Sequence, residues 1–460
     1  MLKERSLDYA TASAGALAKA LSDRQVSAVE LCDEGIRAIE AKDGPINAVV
    51  VRDFDRAREA ARDADAALAR GERRPLLGLP MTVKESHHIP GLPTTWGLEP
   101  FKGWTPKTEA VGVTRLKAAG AVILGKTNVP PSLGDWQAAN PIYGRTNNPH
   151  DLGRVPGGSS GGGAAALAAG MVPLEYGSDI GGSIRVPAHF CGVFGHKPTY
   201  DLIPATGHSP PPFDGPSAGV EFGVVGPLAR TASDLALALG VLAGPEGGVA
   251  RAYRLDLPPP RGAELADYRV LILDAHPLAG VDAEVLTPLH ALATQLESKG
   301  AELSFGSSLL PDLAAAQQTY MALLGTILAR GRPGATPALD TFGYLNGLDA
   351  IAVAQAHWAE LFETFDVVLA PPFGTAAFAH QDDPEWGNRR LTINGEATPY
   401  GAQIAWSGIA TFPGLPSTCA PIAKTRSGLP VGVQIIGPRY EDRTPIAFAG
   451  LIEREFGASL

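Results

Sequence analysis

Cysteine is scarce in this sequence. Among 460 residues there are only Cys32, Cys191 and Cys419, which are far apart and odd in number. Such a set has neither the paired spacing of a disulfide framework nor the closely spaced ligands of a structural zinc site. We therefore expect three buried, reduced thiols, as is usual in the cytoplasm.

Long apolar runs are also lacking. No stretch reaches the roughly 18 consecutive apolar residues of a transmembrane helix, and residues 1–10 lack the apolar core of a signal peptide. The formal net charge of −10 argues against nucleic acid as the main partner, because phosphate binding needs a basic surface. These absences predict a cytoplasmic protein that binds neither membranes nor nucleic acid.

Metal-binding and nucleotide-binding signatures are weak. The ten histidines show no spacing such as H-E-x-x-H, so no metal or cofactor is predicted. Gly120–Thr127 reads GAVILGKT and fits the P-loop pattern, but a P-loop needs a flexible turn where this chain has the strand-like Ala-Val-Ile-Leu. Pro130 and Pro131 also oppose the helix that should follow. The P-loop match is therefore interpreted as coincidence.

Glycine and proline are abundant, at 54 and 40 residues, and they punctuate short apolar runs. Strand-like runs alternate with helical patterns along the chain. Ser27 and Glu30, for example, form a capping box at the start of a helix predicted to reach Ala41, and Leu76–Val83 is predicted to be a strand that leads into Lys84. This alternation predicts an α/β fold with a single large mixed β-sheet sandwiched by helices.

We expect one domain over residues 1–460. It comprises a helical N-terminal segment over 1–72, a glycine-rich core over 73–245, and a C-terminal portion over 262–460 that completes the sheet. The Gly- and Pro-rich stretch Gly244–Arg261 is interpreted as a loop and not as a domain boundary.

Two glycine–serine segments stand out: Pro156-Gly-Gly-Ser-Ser-Gly-Gly-Gly163 and Gly177-Ser-Asp-Ile-Gly-Gly-Ser-Ile-Arg185. Glycines let the backbone approach a reacting centre closely, and the consecutive amides of residues 180–183 could bind one oxyanion. Two tight turns with incidental serines are the plain alternative. The first segment also fits G-x-S-x-G, the nucleophile elbow of α/β-hydrolases, but residues 154–156 are not the strand that such an elbow follows.

Lys84 is the third element of interest. A lysine at the end of a strand is usually a solvated surface charge. If it is buried instead, desolvation lowers its pKa, and the neutral amine can act as a base.

These features together resemble the amidase-signature family. The likeness is dense over Leu76–Leu242 and looser from Asp366 onward. Besides the two glycine–serine segments, it is carried by Gly78–Lys84, Ala118–Asn128, Asn140–Pro149, Cys191–Thr199, Gly226–Thr231 and Gly428–Gln434.

The resemblance implies hydrolysis of the C–N bond of a non-peptide carboxylic amide with a small aliphatic or aryl acyl group. It implies that Ser183 is the nucleophile, Ser159 the proton relay and Lys84 the base, with a cis peptide between Gly158 and Ser159. The oxyanion hole is implied to be the amides of Ile180, Gly181, Gly182 and Ser183.

The sequence departs from the family pattern just after the base. Glu85 stands where Asp is frequent, and the following Ser86-His87-His88 is unusual, so the roles of Glu85, His87 and His88 stay open. Trp136 and Phe213 are the candidates for substrate contact.

Two alternatives to a free-standing amidase are kept. One is the glutaminase subunit of a tRNA-dependent amidotransferase, which belongs to the same family but usually has acidic residues soon after the asparagine that corresponds to Asn128. The other is a catalytically silent scaffold. A small-molecule amide is the expected partner, and the sequence is compatible with a homodimer without determining the oligomeric state.

Overall fold

The computed structural model describes residues 8–215, 219–330 and 334–457. Its strands are β1 (Val49–Arg52), β2 (Pro80–Lys84), β3 (Val122–Thr127), β4 (Ala139–Asn140), β5 (Gly144–Arg145), β6 (Leu174–Asp179), β7 (Phe194–Lys197), β8 (Val224–Ala229), β9 (Arg269–Ile272), β10 (Glu302–Phe305), β11 (Val367–Ala370), β12 (Arg390–Ile393), β13 (Glu396–Pro399), β14 (Ser417–Lys424) and β15 (Pro430–Ile436). Its helices are α1 (Ala14–Ser22), α2 (Ala28–Ile46), α3 (Phe54–Ala69), α4 (Val111–Ala118), α5 (Gly161–Ala168), α6 (Arg185–Cys191), α7 (Ala232–Leu242), α8 (Val249–Ala252), α9 (Ala283–Ser298), α10 (Leu313–Ala329), α11 (Thr341–Thr364), α12 (Ile404–Thr411) and α13 (Arg443–Phe456).

One mixed sheet forms the centre of the described structure. Its eleven strands follow the order β1-β3-β2-β6-β8-β7-β14-β15-β11-β9-β10. Strands β3, β2 and β6 run parallel to one another, as do β11, β9 and β10, whereas the strands between these groups pair antiparallel. The predicted α/β fold with one large mixed sheet is confirmed.

Helices cover both faces of this sheet. Glu175 and Tyr176 are successive residues of β6, so their side chains point to opposite faces. The Glu175 side chain packs against Gly163 of α5, and the Tyr176 ring packs against Gly112 of α4. Helices α4 and α5 therefore lie on opposite sides of the sheet, which agrees with the predicted sandwich.

Residues from both halves of the chain meet inside the sheet. Strand β7 pairs with β14, joining Ser417 to Lys197 in the ladder. The stretch 244–261 therefore connects two parts of one sheet, while the finer division at 72, 245 and 262 stays a prediction. In the described ranges, no helix combines the length and the hydropathy needed to cross a membrane.

Several local predictions are confirmed. The side chains of Ser27 and Glu30 form the capping box of α2. The strand predicted over Leu76–Val83 is β2, but it begins only at Pro80, after a turn over residues 76–78, and it ends at Lys84 itself. Residues of the P-loop-like segment form the buried strand β3 instead of a phosphate-binding turn. All three cysteines are free and buried.

Candidate active site

Strand direction brings the candidate residues together. Because β2 and β6 are parallel neighbours, their C-terminal ends meet at the same edge of the sheet. Lys84 is the last residue of β2, and Asp179 is the last residue of β6, which leads directly into Ser183. The edge at the carboxyl ends of parallel strands is where open α/β sheets commonly place their ligand sites.

Lys84 is fully buried, with 0% of its surface exposed. Its Nζ lies 2.6 Å from Ser159 Oγ and 2.9 Å from Ser178 Oγ. Burial lowers its pKa to about 7, although the nearby charges of Asp179 and Glu175 oppose this shift. The side chain is therefore a hydrogen-bonded amine that is partly neutral near pH 7.

Ser159 lies just before α5, and the peptide that joins it to Gly158 is cis. Gly157, with φ +86°, packs its Cα against the backbone of Pro187, where a larger residue would collide. Ser160, the next residue, donates its N–H to the carbonyl of Ser183 at 3.1 Å. This bond ties the first glycine–serine segment to the second.

Ser183 lies in the turn between β6 and α6 and is 6% exposed. In the described part of the chain its hydroxyl forms no hydrogen bond, so Ser159 and Ser183 are placed in adjoining segments without a direct bond between their side chains. The backbone bond from Ser160 to Ser183 is the contact that joins the Ser183 turn to the segment of Ser159.

The turn that carries Ser183 is braced by a buried ion pair. Asp179 accepts hydrogen bonds from Arg185 Nη2 at 2.9 Å, and from the amides of Gly182 at 2.9 Å and Ile184 at 3.0 Å. Burial would raise the pKa of Asp179, but the charge and hydrogen bonds of Arg185 hold it at about 2. Arg185 also bonds Gln434 and Thr411 in the C-terminal portion of the chain.

The four amides predicted for an oxyanion hole have different surroundings. The Gly182 N–H is already used by Asp179. The N–H groups of Ile180, Gly181 and Ser183 meet no acceptor among the residues described. The Gly182 amide therefore stabilises the turn, and a role of the other three in an oxyanion hole stays a prediction.

Sequence reasoning missed two polar neighbours of Lys84. Ser178 supplies a second hydroxyl, and its only sequence signal is its place directly before Asp179. Glu175 is fully buried, and burial raises its pKa to about 7 while Thr127 donates a hydrogen bond at 2.6 Å. The signal available for Glu175 was a carboxylate between the apolar residues Leu174 and Tyr176 of β6.

Of the two predicted substrate-contacting aromatics, Trp136 is 2% exposed and Phe213 is 44% exposed. The indole Nε1 of Trp136 donates to the carbonyl of Gly181 at 2.9 Å. Gly181 lies in the turn over residues 180–183, which is named the nucleophile turn after the predicted role of Ser183. Its ring packs against Phe373, Trp386 and Tyr400. A role for Trp136 or Phe213 in substrate binding stays a prediction.

Glu85 has structural partners. Its carboxylate accepts hydrogen bonds from the backbone N–H of Thr95 at 2.5 Å, the backbone N–H of Trp96 at 3.0 Å and the hydroxyl of Tyr143 at 3.1 Å. It therefore anchors the loop that follows β2.

His87 and His88 contact a second loop, which contains His208 and Ser209, beside the loop that follows β2. His87 stacks on Tyr176 with ring centroids 4.1 Å apart, and it lies 4.9 Å from the ring of His208. His88 contacts the carbonyl of Ser209 at 3.2 Å. Burial lowers the pKa of His87 well below its usual value and that of His208 to about 3, so both rings are neutral at physiological pH.

A hydroxyl, an imidazole and a carboxylate also lie side by side where β7, β14 and the start of α13 meet. His196 contacts Thr418 Oγ1 at 2.9 Å and Asp442 Oδ1 at 3.1 Å, which imitates a hydroxyl–imidazole–carboxylate triad. All three side chains are completely buried, and Asp442 also accepts hydrogen bonds from Thr199. With no access for a substrate, this network fastens the start of α13 to the sheet.

Among the described residues, no three His, Cys, Asp or Glu side chains form a group that could hold a metal.

Comparison with known proteins identifies the family. The family model "Amidase" matches residues 30–330 and 316–445. The chain belongs to the amidase family. A putative amidase, AmiB2, from Mycobacterium tuberculosis is 34% identical to this chain, and the match covers 97% of this chain and 96% of AmiB2. This amidase-family chain is also 33% identical to a glutamyl-tRNA(Gln) amidotransferase subunit from Anaeromyxobacter sp. strain K, over 88% of each protein.

Solved structures agree with this assignment. A bacterial aryl acylamidase of the amidase signature family superposes with a TM-score of 0.82, at 25% identity, over 97% of both chains. The likeness thus extends beyond the glycine–serine motifs to the whole fold. The resemblance to the amidase-signature family is confirmed, and the protein is a hydrolase of that family.

Proposed function

We propose that this protein hydrolyses a linear, non-peptide carboxylic amide through a Ser183 acyl-enzyme, with Ser159 and Lys84 as the proton relay. The observation that carries the proposal is the buried Lys84 amine, whose pKa is about 7 and whose Nζ is 2.6 Å from Ser159 Oγ. At pH 7 about half of such amines are neutral and able to accept a proton. A solvated lysine would be almost entirely protonated.

In the first half of the proposed reaction, Ser183 Oγ attacks the amide carbonyl. The Ser183 proton passes to Ser159, and the proton of Ser159 passes to Lys84. The amides of Ile180, Gly181 and Ser183 stabilise the oxyanion. The relay then returns a proton to the amide nitrogen as its bond to carbon breaks, and the amine leaves.

The second half of the reaction regenerates the enzyme. A water molecule gives its proton to the same relay and attacks the acyl carbon. The bond from the acyl carbon to Ser183 Oγ breaks, Ser183 regains a proton, and the carboxylic acid is released. No group other than the three side chains and the turn amides is required.

A small aliphatic or aryl acyl group is the proposed substrate class. The likeness to an aryl acylamidase supports it, as does the aromatic cluster of Trp136, Phe373, Trp386 and Tyr400 beside the Gly181 carbonyl. Flat apolar side chains next to the turn favour an apolar acyl or aryl group over a charged one.

The experiment is a kinetic screen of the purified chain against aliphatic amides, anilides such as p-nitroacetanilide, and amino-acid amides. We expect turnover of at least one class and a loss of about 10⁴-fold or more in Ser183→Ala, because the nucleophile is removed. Ser298→Ala, an exposed serine at the end of α9, should match wild type. Wild-type turnover by Ser183→Ala would contradict the proposal.

A second candidate function is glutamine hydrolysis within a tRNA-dependent amidotransferase, which is favoured by relatives named glutamyl-tRNA(Gln) amidotransferase at 30–34% identity. Glutamine belongs in the same screen for this reason. Release of ammonia from glutamine, with no turnover of simple amides, would favour that function. Turnover of simple amides with none of glutamine favours the free-standing amidase.

A further inference from the structure

Two carbonyls of the nucleophile turn are held by side chains from distant parts of the chain. The hydroxyl of Tyr320, on α10, donates to the carbonyl of Ile180 at 2.6 Å. The indole of Trp136 donates to the carbonyl of Gly181 at 2.9 Å. Tyr320 is 0% exposed and Trp136 is 2% exposed, so bulk water does not compete for either hydrogen bond.

Each of these bonds also fixes an N–H group. A peptide unit is planar and trans, so the carbonyl of one residue and the N–H of the next point in opposite directions from one rigid plane. The bond on the Ile180 carbonyl therefore sets the direction of the Gly181 N–H. In the same way, the bond on the Gly181 carbonyl sets the direction of the Gly182 N–H.

The two peptide planes differ in how they are held. The Gly181–Gly182 plane is held at both ends, because Trp136 binds its carbonyl and Asp179 accepts its N–H at 2.9 Å. The Ile180–Gly181 plane has a side-chain partner only at its carbonyl, namely Tyr320. Its N–H meets no acceptor within the ranges described. Without Tyr320, a plane next to glycine would have freedom to rotate.

We propose that Tyr320 is a positioning residue that aims the Gly181 N–H at the oxyanion of the reaction. This proposal rests on the proposed function. Tyr320 does not touch the reacting atoms and acts through the peptide plane alone. It links α10 in the C-terminal portion to the turn that carries Ser183.

The surroundings of Tyr320 suit this role. Its ring packs edge-on against Phe222, with centroids 5.1 Å apart, so the ring stays in place when the hydroxyl is removed. Burial raises the pKa of Tyr320 above its usual value, with a further contribution from Asp179, so the hydroxyl remains a donor over the whole working range. Its hydroxyl also lies near Gly181, 3.9 Å from where a Cβ of that residue would stand.

The test compares Tyr320→Phe with Tyr344→Phe. Tyr344, on α11, is the matched control because its hydroxyl donates to Glu221 at 2.6 Å and not to the nucleophile turn. The measurements are kcat and KM for the best amide of the screen, and the inhibition constant of a trifluoromethyl ketone with the same acyl group. That ketone forms an oxyanion on the serine.

For Tyr320→Phe we expect kcat to fall by about tenfold, less than the effect of deleting an oxyanion donor outright. KM should change by less than about twofold, and affinity for the ketone should fall by about the same factor as kcat. Tyr344→Phe should match wild type in all three. Unchanged kcat and ketone affinity in Tyr320→Phe, or a loss confined to KM, would overturn the proposal.

Replacement of Tyr320 by p-aminophenylalanine provides a second test that does not depend on the folding of the Phe variant. It keeps the ring and a weaker N–H donor, so kcat and ketone affinity should both fall by about twofold or more. Wild-type values for both would contradict the positioning role. Failure of this role and failure of the proposed function are distinguished by Ser183→Ala, because only the latter leaves that variant active.

Discussion

At the scale of single residues, the question is why Lys84 can be a base. Burying a lysine disfavours the ammonium form, and the hydroxyls of Ser159 and Ser178 hydrogen-bond the amine without adding charge. The charges of Asp179 and Glu175 favour the ammonium form, Asp179 more strongly, but burial outweighs both and lowers the pKa of Lys84 to about 7. The charge of Glu175 raises the pKa of Lys84 and the charge of Lys84 lowers the pKa of Glu175, so the two groups are coupled.

This coupling leads to a pH prediction. Since the neutral amine is the base, kcat/KM should rise with pH through a limb near pH 7, the pKa of Lys84. The negative charge of Glu175 raises the pKa of Lys84, so Glu175→Gln should move that limb to lower pH. The pH–rate profile of the best amide substrate measures both.

The control for this profile is Glu302→Gln, an exposed glutamate in β10 that should leave the limb in place. A limb in Glu175→Gln that moved to higher pH would show that Glu175 does not stabilise the ammonium form of Lys84. A rate independent of pH between about 5 and 9 would exclude a neutral lysine as the base.

At the scale of elements, helix ends are joined across the sequence. Asp234 lies in the first turn of α7, where its carboxylate suits the helix dipole. The structure shows a further role: the buried carboxylate accepts hydrogen bonds from the backbone N–H groups of Ala14 and Gly15, each at 2.8 Å, at the start of α1. One side chain therefore joins the N-termini of two helices that lie 220 residues apart in sequence.

Asp234→Ala should lower the free energy of unfolding by about 2 kcal/mol, because it leaves the buried N–H of Ala14 and the partly buried N–H of Gly15 without an acceptor. The matched variant Asp312→Ala removes an exposed cap from α10 and should cost about 1 kcal/mol. Urea denaturation compares the two, and kcat should stay at the wild-type value in Asp234→Ala. An equal or smaller loss in Asp234→Ala would contradict the joint capping role.

The elements also show where sequence reasoning ends. The start of helix α2 was predicted because its capping box is a local pattern. Strand β8 was missed because Gly226 and Pro227 resemble a turn, yet Pro227 pairs with Tyr176 in the middle of the sheet. Strand β14 contains Pro421 next to a bulge and was missed for the same reason. Tertiary pairing overrides local propensity at these points.

The candidate site divides in the same way. Lys84, Ser159 and Ser183 were predicted because each lies in a local motif that resembles the amidase-signature pattern, and their roles stay predictions. The partner of the Ile180 carbonyl, Tyr320, is 140 residues away in sequence and lies on a helix with no motif. No local pattern could have predicted that contact, which depends on how α10 packs against the nucleophile turn.

At the scale of the whole molecule, the two halves of the chain are interdependent. Arg185, next to the nucleophile turn, donates to Gln434 Oε1 at 3.0 Å and to Thr411 Oγ1 at 2.9 Å. His196 contacts Asp442 at 3.1 Å, and β7 pairs with β14. The C-terminal portion therefore completes the support of the active-site turn as well as the sheet.

A cut in the exposed segment at Gly247–Gly248 should consequently leave the halves associated. A specific protease site inserted there allows cleavage after folding, and size-exclusion chromatography then measures the product. We expect one peak at the mass of the uncut chain and retained amidase activity. Separate elution of the halves in native buffer would contradict the interdependence.

The central claim is that Ser183 carries the acyl group while Lys84 and Ser159 move protons. The most direct measurement is peptide mass spectrometry after acid quench of the enzyme during turnover of an anilide. We predict the added acyl mass on the peptide that contains Ser183, and its strong reduction in Lys84→Met. Acyl mass on the peptide that contains Ser159, or no acyl mass while turnover proceeds, would contradict the account.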